Sequence, residues 1–397
     1  MRRTFASAAL ILGGLLVSGC SAASQADADT AATPPANVSA TPVIPQPPRT
    51  ISVVVSGDPL VHTDFIFQAR KDAELTAAGE MDFAPLLANT RGVVEAADLA
   101  VCHLETSIGP AEGPFSGYPL FSSPPQLIAG LKATGYDFCT TASNHTFDTG
   151  AQGIDNTLNA LDAASMGHVG SARTQAEAEA VSITPVATPN GEVKVANIAY
   201  TFGFNGLPYP NDETWRANII DAPRILADAR AAKVAGADLV ILNMHWGTEY
   251  QAQPDAQQAT LAEALTQSPD IDVIVGGHAH VVQPIQRING KWVVFGTGNL
   301  FACHRDFGDP DEEGIIVRLA FAEQPSGAFT ASSAEYLPIL ATCTFDGDSR
   351  VMDIPTALAT GDVGPYGQER LELAQARTAE TVNSLGGAIA GLRPLAK

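Results

Sequence analysis

Residues 272–281, DVIVGGHAHV, join a short apolar run to two glycines and two histidines. The run is rich in β-branched side chains, which is typical of a buried strand in an α/β sheet. Glycines at its end allow a tight turn or the close approach of another group. Two imidazoles one residue apart need partners there, and a metal ion is the commonest partner of such a pair. An isolated His-x-His is more often two solvated loop histidines. Evidence for a metal site must therefore come from the rest of the chain.

Composition limits the classes of function. The chain has 397 residues, 45% of them apolar, which is enough for one large hydrophobic core or two smaller ones. It has 43 acidic and 22 basic residues, a net charge of −21. No binding to nucleic acid, or to an anionic membrane surface through the protein's own charges, is therefore expected. An anionic substrate is compatible with this charge, since bound divalent cations would reverse the local field.

The N-terminus has the features of an export signal. Two arginines precede the apolar residues 5–17, which are too few for an ordinary membrane span. The following Leu16-Val17-Ser18-Gly19-Cys20 resembles a bacterial lipobox. We therefore expect residues 1–20 to be a lipoprotein signal peptide. The exported protein would then be anchored through a lipid on Cys20 to the extracytoplasmic face of the cell membrane.

The remaining residues divide into a linker and a folded part. Residues 21–49, rich in Ala, Pro, Ser and Thr, are predicted to be a disordered linker. From residue 50 the chain alternates strand and helix patterns, which indicates an α/β fold. The predicted strands are ISVVVSGD, ADLAVCHLE, YDFCTTASNH, KVANIAYTF, ADLVILNMHWG, IDVIVGGHAH and KWVVFGTGN. Helices are predicted, for example, at residues 152–164, 222–235 and 255–266.

The C-terminal part is predicted to belong to the same domain. Residues 50–320 form the main domain in this interpretation, and residues 321–397 add shorter alternating segments and an amphipathic helix. The helix is expected from about residue 368 to about residue 392. We expect this tail to complete a second sheet and to cap the domain.

Polar side chains follow five of the predicted strands. In chain order these groups are Gly57-Asp58, His103-Leu104-Glu105, Ser143-Asn144-His145 with Asp148 one turn on, Met244-His245-Trp246, and His278-Ala279-His280. Ligands of open α/β sheets bind at the carboxyl ends of the strands, so these groups are expected to converge. Oxygen and nitrogen donors without a thiolate suit Zn, Mn, Fe or Mg.

This order of residues resembles the calcineurin-like metallophosphoesterases and, more closely, the CapA family of bacterial poly-γ-glutamate capsule proteins. The closer resemblance rests on SNHTFDTGAQGIDNTLNAL from Ser143, HWGTEYQAQPDAQQ from His245, GGHAHVVQP from Gly276 and GTGNLF from Gly296. It extends from about Val53 to about Phe301. The resemblance implies a metallophosphatase-like fold, a layered αββα sandwich with mixed β-sheets.

The resemblance also implies a centre of two divalent metal ions. One ion would be held by Asp58 and His280 and the other by Asn144, His245 and His278, with Glu105 bridging them. Such a pair binds a phosphate group and lowers the pKa of a water molecule between the ions. His145, oriented by Asp148, would protonate the leaving oxygen.

The chain departs from the phosphoesterase pattern in ways that leave roles open. The usual Asp-x-His is replaced by Asp58-Pro59-Leu60-Val61-His62, so His62 is a ligand, a substrate contact or a loop residue. Glu105 replaces a shorter Asp. His103 stands where the CapA family usually has Asn, on the same strand face as Glu105, and is a candidate to support the ligands from behind. Further candidates to contact the substrate or the ligands are Glu249, Tyr250, Asn299 and Arg305, of which Arg305 could hold an anionic group.

Four cysteines follow Cys20, and export would permit disulfides. Cys102 and Cys139 lie on strands predicted to be neighbours, while Cys303 and Cys343 lie in the C-terminal part. We therefore favour the pairs 102–139 and 303–343 over four buried, reduced thiols.

Two classes of function remain open. The first is a metal-dependent hydrolase of the phosphoesterase type in the cell envelope, linked to capsule polymer synthesis. The second is a non-catalytic, metal-dependent component that binds an anionic envelope polymer such as poly-γ-glutamate. Either would act with a phosphoester or an anionic polymer, and a capsule synthase complex is a further candidate partner.

Overall fold

The computed structural model describes residues 47–303, 309–344 and 348–396. In these residues the strands are β1 Thr50–Ser56, β2 Asp58–Pro59, β3 Leu99–His103, β4 Phe138–Thr140, β5 Gly167–Val169, β6 Ile183–Thr188, β7 Gly191–Thr201, β8 Leu239–His245, β9 Val273–Gly277, β10 Ile285–Ile288, β11 Lys291–Val294, β12 Asn299–Phe301, β13 Glu313–Glu323, β14 Phe329–Ala341, β15 Val351–Asp353 and β16 Leu392–Pro394. The helices are α1 Thr63–Thr76, α2 Ala84–Leu87, α3 Arg91–Val94, α4 Gln126–Thr134, α5 Gly150–Ala163, α6 Gln175–Ala178, α7 Ala222–Val234, α8 Ala256–Thr266, α9 Ile354–Thr360 and α10 Gly367–Asn383.

The helix boundaries follow from capping residues in the sequence. Asp255 and Gln258 form a reciprocal capping box at the start of α8. The side chain of Asp221 accepts a hydrogen bond from the backbone N–H of Arg224 at the start of α7. At the other end of a helix, Gly135 terminates α4 in the left-handed conformation that glycine tolerates best. The three helices predicted at residues 152–164, 222–235 and 255–266 are thus present within two residues of the expected ends.

The strands form two large mixed sheets and one small sheet. The first sheet has the order β15-β14-β13-β1-β3-β4-β5, with β16 paired to β14. The second has the order β10-β11-β9-β8-β7-β6, and β12 pairs separately with β2. In the first sheet β1, β3 and β4 run parallel, and in the second sheet β7, β8 and β9 do so.

The two large sheets pack face to face. Alternate residues of their central strands, such as Val53 and Val101 in the first sheet and Ile241 and Val273 in the second, share one buried cluster. The other face of the first sheet carries α1 to α5, and the other face of the second carries α7 and α8. The predicted αββα sandwich with mixed β-sheets is therefore confirmed.

Two expectations for the C-terminal part were wrong. The tail does not complete the second sheet, because β13 pairs antiparallel with β1 and brings β14, β15 and β16 into the first. The last helix, α10, ends at Asn383 rather than near residue 392, since Gly386 has a φ of 85° and the chain turns into β16. The tail nevertheless caps one end of the fold, where α9 and α10 pack on β14 and β15.

The cysteines form the two favoured pairs. Cys102 and Cys139 are bonded across the parallel strands β3 and β4, at directly opposed positions. Cys303 is bonded to Cys343, which follows β14. Cys20 and Arg305 lie outside the described residues. In the described part of the chain, no helix combines the length and the apolar character needed to cross a bilayer.

Candidate metal centre

The carboxyl ends of parallel strands from both sheets meet at one edge of the sandwich. Glu105, just after β3 of the first sheet, lies with its Oε1 atom 3.8 Å from Nε2 of His245 at the end of β8 in the second. All six predicted ligands are at or just after such strand ends and are at least 95% buried: Asp58, Glu105, Asn144, His245, His278 and His280. The predicted convergence of these groups therefore occurs at the place where the two sheets face each other.

The two glycines of DVIVGGHAHV allow close packing at this edge. A Cβ atom on Gly276 would lie 2.0 Å from the carbonyl oxygen of Phe295, and one on Gly277 would lie 2.6 Å from Oδ1 of Asp58 and 3.3 Å from Cδ2 of His103. Neither glycine has a positive φ. Close approach, rather than an unusual backbone conformation, therefore explains both residues.

The two histidines that follow do have an unusual backbone. His278 has a φ of 87° and His280 a φ of 55°, and a positive φ is uncommon for any residue other than Gly, although His, like Asn and Asp, adopts it more often than most. The backbone N–H of His278 donates a hydrogen bond of 2.9 Å to Oδ2 of Asp58, which helps to hold this conformation. Such strain persists where the surrounding structure fixes it, and it clusters at functional sites.

Two buried carboxylates form the floor of the centre. Both carboxylate oxygens of Glu105 and Oδ1 of Asp58 are buried without a hydrogen-bonding partner among the described residues. Burial raises the pKa of Asp58 to about 7. Burial and the nearby charge of Asp58 raise the pKa of Glu105 well above its usual range. Two carboxylates in this environment can both be anionic only if a cation lies beside them.

Three imidazoles face the carboxylates. Nε2 of His280 lies 3.8 Å from Oε1 of Glu105, and its Nδ1 lies 3.9 Å from Oδ2 of Asp58. Nδ1 of His278 is buried and has no hydrogen-bonding partner in the described structure. Burial lowers the pKa of His245 well below its usual value, that of His278 to about 3 and that of His280 to about 4. These rings are therefore neutral, which is the form that binds a metal ion.

Two groups of donor atoms share Glu105. One of them consists of Asp58, Glu105 and His280, and the other of Glu105, His245 and His278, with the ligand atoms of each group within 4.8 Å of one another. Donor atoms of Asp58, His103 and His245 converge equally closely. Asn144 adjoins the second group, because its Oδ1 lies 2.8 Å from Nε2 of His245. This division is the one that the family resemblance implies. The orphaned oxygens and nitrogen, and a donor set without thiolate, fit two divalent ions of the Zn, Mn, Fe or Mg type.

His145 and Asp148 form a pair beside the ligands. Nδ1 of His145 lies 2.7 Å from Oδ2 of Asp148, and both side chains are almost fully buried. The same Asp148 oxygen accepts a 2.7 Å hydrogen bond from the backbone N–H of Phe121, whose ring packs edge-on against His145 at 4.8 Å. The carboxylate therefore fixes the ring and its tautomer, and Nε2 lies outside this hydrogen bond.

Two polar residues contact the candidate ligands His280 and His245. Asn299, on β12, places Oδ1 3.0 Å from Nδ1 of His280 and donates through Nδ2 to the carbonyl oxygen of Asp311. His103 places Nε2 2.8 Å from Nδ1 of His245. Its Nε2 also lies 3.8 Å from Oδ1 of Asp58, too far for a hydrogen bond.

The remaining candidates lie around the centre. Glu249 is exposed, and its carboxylate is within 4.8 Å of donor atoms of His278 and His280. Tyr250 is half-buried, with its ring 5.9 Å from the ring of His280. His62 precedes α1 and accepts a hydrogen bond from the backbone N–H of Cys303 at 3.2 Å. Among the described residues, none of the converging groups of potential metal ligands includes His62.

The structure adds residues that the sequence did not single out. Phe202, partly exposed, lies with its ring 4.3 Å from that of His278. Asn205 accepts a hydrogen bond from Nδ2 of Asn144 at 3.2 Å. Both residues follow β7, which runs parallel to β8. Applied to the predicted strand KVANIAYTF, the rule that identified the other strand ends would have pointed to Asn205, three residues after it, but not to the apolar Phe202.

Comparisons with known proteins support the resemblance. The chain is 29% identical over 181 residues to the capsule biosynthesis protein CapA of Bacillus anthracis, covering 45% of this chain and 43% of that protein. It is 27% identical over 241 residues to a probable polyglutamine synthesis accessory protein of Mycobacterium tuberculosis, covering 57% of this chain and 61% of that protein. The chain thus spans less than two thirds of the length of either relative.

A solved structure and a family match complete the comparison. The calcineurin-like phosphoesterase YfkN from Bacillus subtilis matches with a TM-score of 0.44 and 18% identity, covering 83% of this chain and 100% of that chain. Residues 52–303 match the family described as bacterial capsule synthesis protein PGA_cap, a segment that contains every predicted ligand. The chain therefore belongs to the PGA_cap family of bacterial capsule synthesis proteins.

Proposed function

We propose that this protein is a hydrolase of phosphoester-type bonds that depends on two divalent metal ions and works in the cell envelope in the synthesis of a capsule polymer. One observation carries the proposal. The buried, orphaned atoms Oε1 and Oε2 of Glu105, Oδ1 of Asp58 and Nδ1 of His278 converge at one edge of the sandwich. Orphaned buried polar atoms are costly unless an ion or water satisfies them.

The ligands divide between two ions. Asp58 and His280 would hold the first, and Asn144, His245 and His278 the second, with Glu105 shared between them. When bound, such a pair supplies a clamp for the phosphoryl group and a water molecule of lowered pKa. The protein contributes fixed ligand positions, which the strained backbone at His278 and the tight packing at Gly277 help to hold.

His145 is the proton donor in this proposal. Asp148 holds Nδ1 at 2.7 Å, so Nε2 can carry the proton that the departing oxygen needs. Packing against Phe121 keeps the imidazole in one orientation. General acid help of this kind is worth about 10²- to 10⁴-fold in rate.

The cellular setting in the proposal comes from the N-terminus and the relatives. The lipobox around Cys20 favours export and a lipid anchor on the outer face of the membrane. CapA of B. anthracis and the M. tuberculosis protein are named for capsule and polyglutamine synthesis. We extend this to an anionic polymer such as poly-γ-glutamate as the polymer concerned, and to a synthase complex as a partner.

A non-catalytic role is the second candidate, and one observation favours it. Asp58 is followed by Pro59 and Leu60 rather than by the His of an Asp-x-His motif, and His62 is engaged with the backbone of Cys303. The first ion thus has one protein ligand fewer than the phosphoesterase pattern supplies. A protein that binds metal and an anionic polymer without turning over any ester would fit this arrangement.

Metal analysis combined with turnover separates the two candidates. The lipid-free protein, beginning after Cys20, is purified and assayed on a panel of phosphomonoesters and phosphodiesters, with binding of poly-γ-glutamate measured in parallel. His278→Ala should lose one of the two ions and the turnover, whereas the control His168→Ala, in a histidine that pairs with Asp162 away from the centre, should keep both ions and the turnover. Bound metal and polymer binding without turnover would support the second candidate, and an absence of bound metal in the wild type would contradict both.

A further inference from the structure

His103 lies where the two sheets meet. The inward-facing side of β3 continues from Val101 to His103, and that of β8 continues from Ile241 to His245. The apolar interior between the sheets therefore ends in two imidazoles that face each other. Their ring centroids are 4.8 Å apart and their planes are inclined by 26°. Replacement of an apolar pair by two histidines needs a reason other than packing, because each ring brings two polar atoms into the interior.

Both ring nitrogens of His103 are committed to hydrogen bonds. Nε2 lies 2.8 Å from Nδ1 of His245, and Nδ1 lies 2.6 Å from Oγ1 of Thr140. Asp58, the nearest carboxylate in the candidate centre, is 3.8 Å from Nε2. The His245 contact is therefore much the closer of the two, and it competes directly with any role of His103 as a ligand to the ion of Asp58.

We infer that His103 is a positioning residue, which holds the ring of His245 so that Nε2 of His245 points its lone pair at a metal ion. This inference rests on the proposed function and concerns the same centre. A neutral His245 that ligates through Nε2 carries its proton on Nδ1 and must donate it. The acceptor is Nε2 of His103. The proton of His103 then lies on Nδ1 and is donated to Oγ1 of Thr140.

The hydrogen bonds from His245 to His103 and from His103 to Thr140 form a relay. The disulfide fixes the distance between the strands that carry His103 and Thr140. Cys102 pairs with Cys139, and the next residues on the same two strands, His103 and Thr140, are directly opposed. Side chains alternate along a strand, so the disulfide lies on the helix-covered face and the relay on the face between the sheets. The covalent bond holds β3 and β4 together one residue before the hydrogen bond that fixes the His103 tautomer.

The direction of the relay depends on the metal. In protein stripped of metal, the 2.8 Å contact lets Nε2 of His245 donate to Oδ1 of Asn144, which can only accept. Nδ1 of His245 is then an acceptor, and Nε2 of His103 must carry the proton. Each imidazole has one proton in both states, so each ring exchanges its tautomer through water without net uptake or release.

Two near-isosteric variants test the acceptor position. The amide oxygen of Gln reaches about as far as Nε2 of His, whereas that of Asn reaches only as far as Nδ1. His103→Gln should therefore keep the bond to His245 and bind metal nearly as the wild type does. His103→Asn should lose that bond and bind the second ion about 10- to 100-fold more weakly. Equal affinities in the Asn variant and the wild type, or equal losses in both variants, would overturn the inference.

A double variant identifies which ion depends on His103. His278→Ala alone should leave one ion per chain, in the group of Asp58 and His280. Adding His103→Asn should leave that ion in place, because both changes act on the second ion. Loss of both ions in the double variant would show that His103 serves the first ion and would refute the positioning role.

The tautomers supply a signature that a packing role would not produce. In protein with ¹⁵N-labelled histidine, His103 should be protonated at Nδ1 with zinc bound and at Nε2 after chelation. An unchanged His103 tautomer would contradict the relay even if metal binding were normal. A wild-type protein that binds no divalent metal would refute the proposed function and the inference together, whereas metal binding insensitive to residue 103 would refute only the inference. Circular dichroism confirms that each variant is folded.

Discussion

Replacement of Gly277 by Ala should damage the metal centre through a single methyl group. The new Cβ would lie 2.6 Å from Oδ1 of Asp58, about 0.8 Å inside an ordinary contact of 3.4 Å. Gly277 has no positive φ, so the substitution introduces no backbone strain and isolates the steric effect. The carboxylate of Asp58 has to move, and a shift of this size is enough to break the 2.9 Å hydrogen bond from His278.

Two magnitudes follow from this displacement. Overpacking of a well-packed interior costs about 1–3 kcal/mol of unfolding free energy. Displacement of a ligand by a fraction of an ångström should weaken metal binding by about 10- to 100-fold, as the loss of a supporting contact does. Unfolding by denaturant in the presence of a chelator measures the first effect, and calorimetric titration of stripped protein with Mn²⁺ or Zn²⁺ measures the second.

Gly92→Ala is the matched control. Gly92 lies in α3, has no positive φ, and a Cβ there would meet nothing within 4 Å. That variant should keep the metal affinity of the wild type and should be no less stable, since Ala in place of Gly in a helix stabilises the fold by up to about 1 kcal/mol. If Gly277→Ala folds and binds metal as tightly as the wild type, Asp58 is not a metal ligand held in place by its contact with Gly277.

Three further predictions concern the acid, the disulfide and the anchor. His145→Ala should keep its metal but lose about 10²- to 10⁴-fold in kcat/KM on an alkyl phosphoester. The loss on a nitrophenyl ester should be far smaller, because a good leaving group needs no proton. Equal losses on both esters would argue against the acid role. Replacement of both Cys303 and Cys343 by Ser should lower the unfolding free energy by about 4 kcal/mol on the chain-entropy model, since the bonded residues are 40 apart in sequence. An unchanged denaturation midpoint would contradict this prediction. Cys20→Ser should abolish lipid labelling and release the protein from membranes, and an unchanged distribution between membrane and soluble fractions would rule out the lipobox interpretation.

The ligand positions could be predicted because parallel strands end at a common edge. The alternation of apolar strands and helices located β1, β3, β4, β8 and β9, and the residue after each strand end was then a candidate ligand. That rule needs no knowledge of strand order. It holds for Asp58, at the start of β2, as well as for His245, at the end of β8.

Strand partners could not be predicted in the same way. A period of two shows which face of a strand is buried but not which strand lies beside it, so the pairing of β13 with β1 could not be read from the pattern. Position 277 requires a glycine because Asp58 packs against it. Asp58 is 219 residues away in sequence and contacts Gly277 only in the folded protein. The contact of His103 with His245 likewise spans 142 residues and crosses from one sheet to the other.

The number of metal ions per chain in Glu105→Ala is the most direct test of the proposed two-ion centre. Because Glu105 is shared by both ions in this centre, the wild type should hold two ions per chain and Glu105→Ala should lose both at metal concentrations that saturate the wild type. Glu192→Ala is the control, because Glu192 is an exposed carboxylate at the amino end of β7, whereas the centre lies at the carboxyl ends of the strands, and this variant should leave both ions bound. Two ions retained in Glu105→Ala, or none in the wild type after incubation with Mn²⁺ or Zn²⁺, would contradict the assignment of Glu105 to both ions.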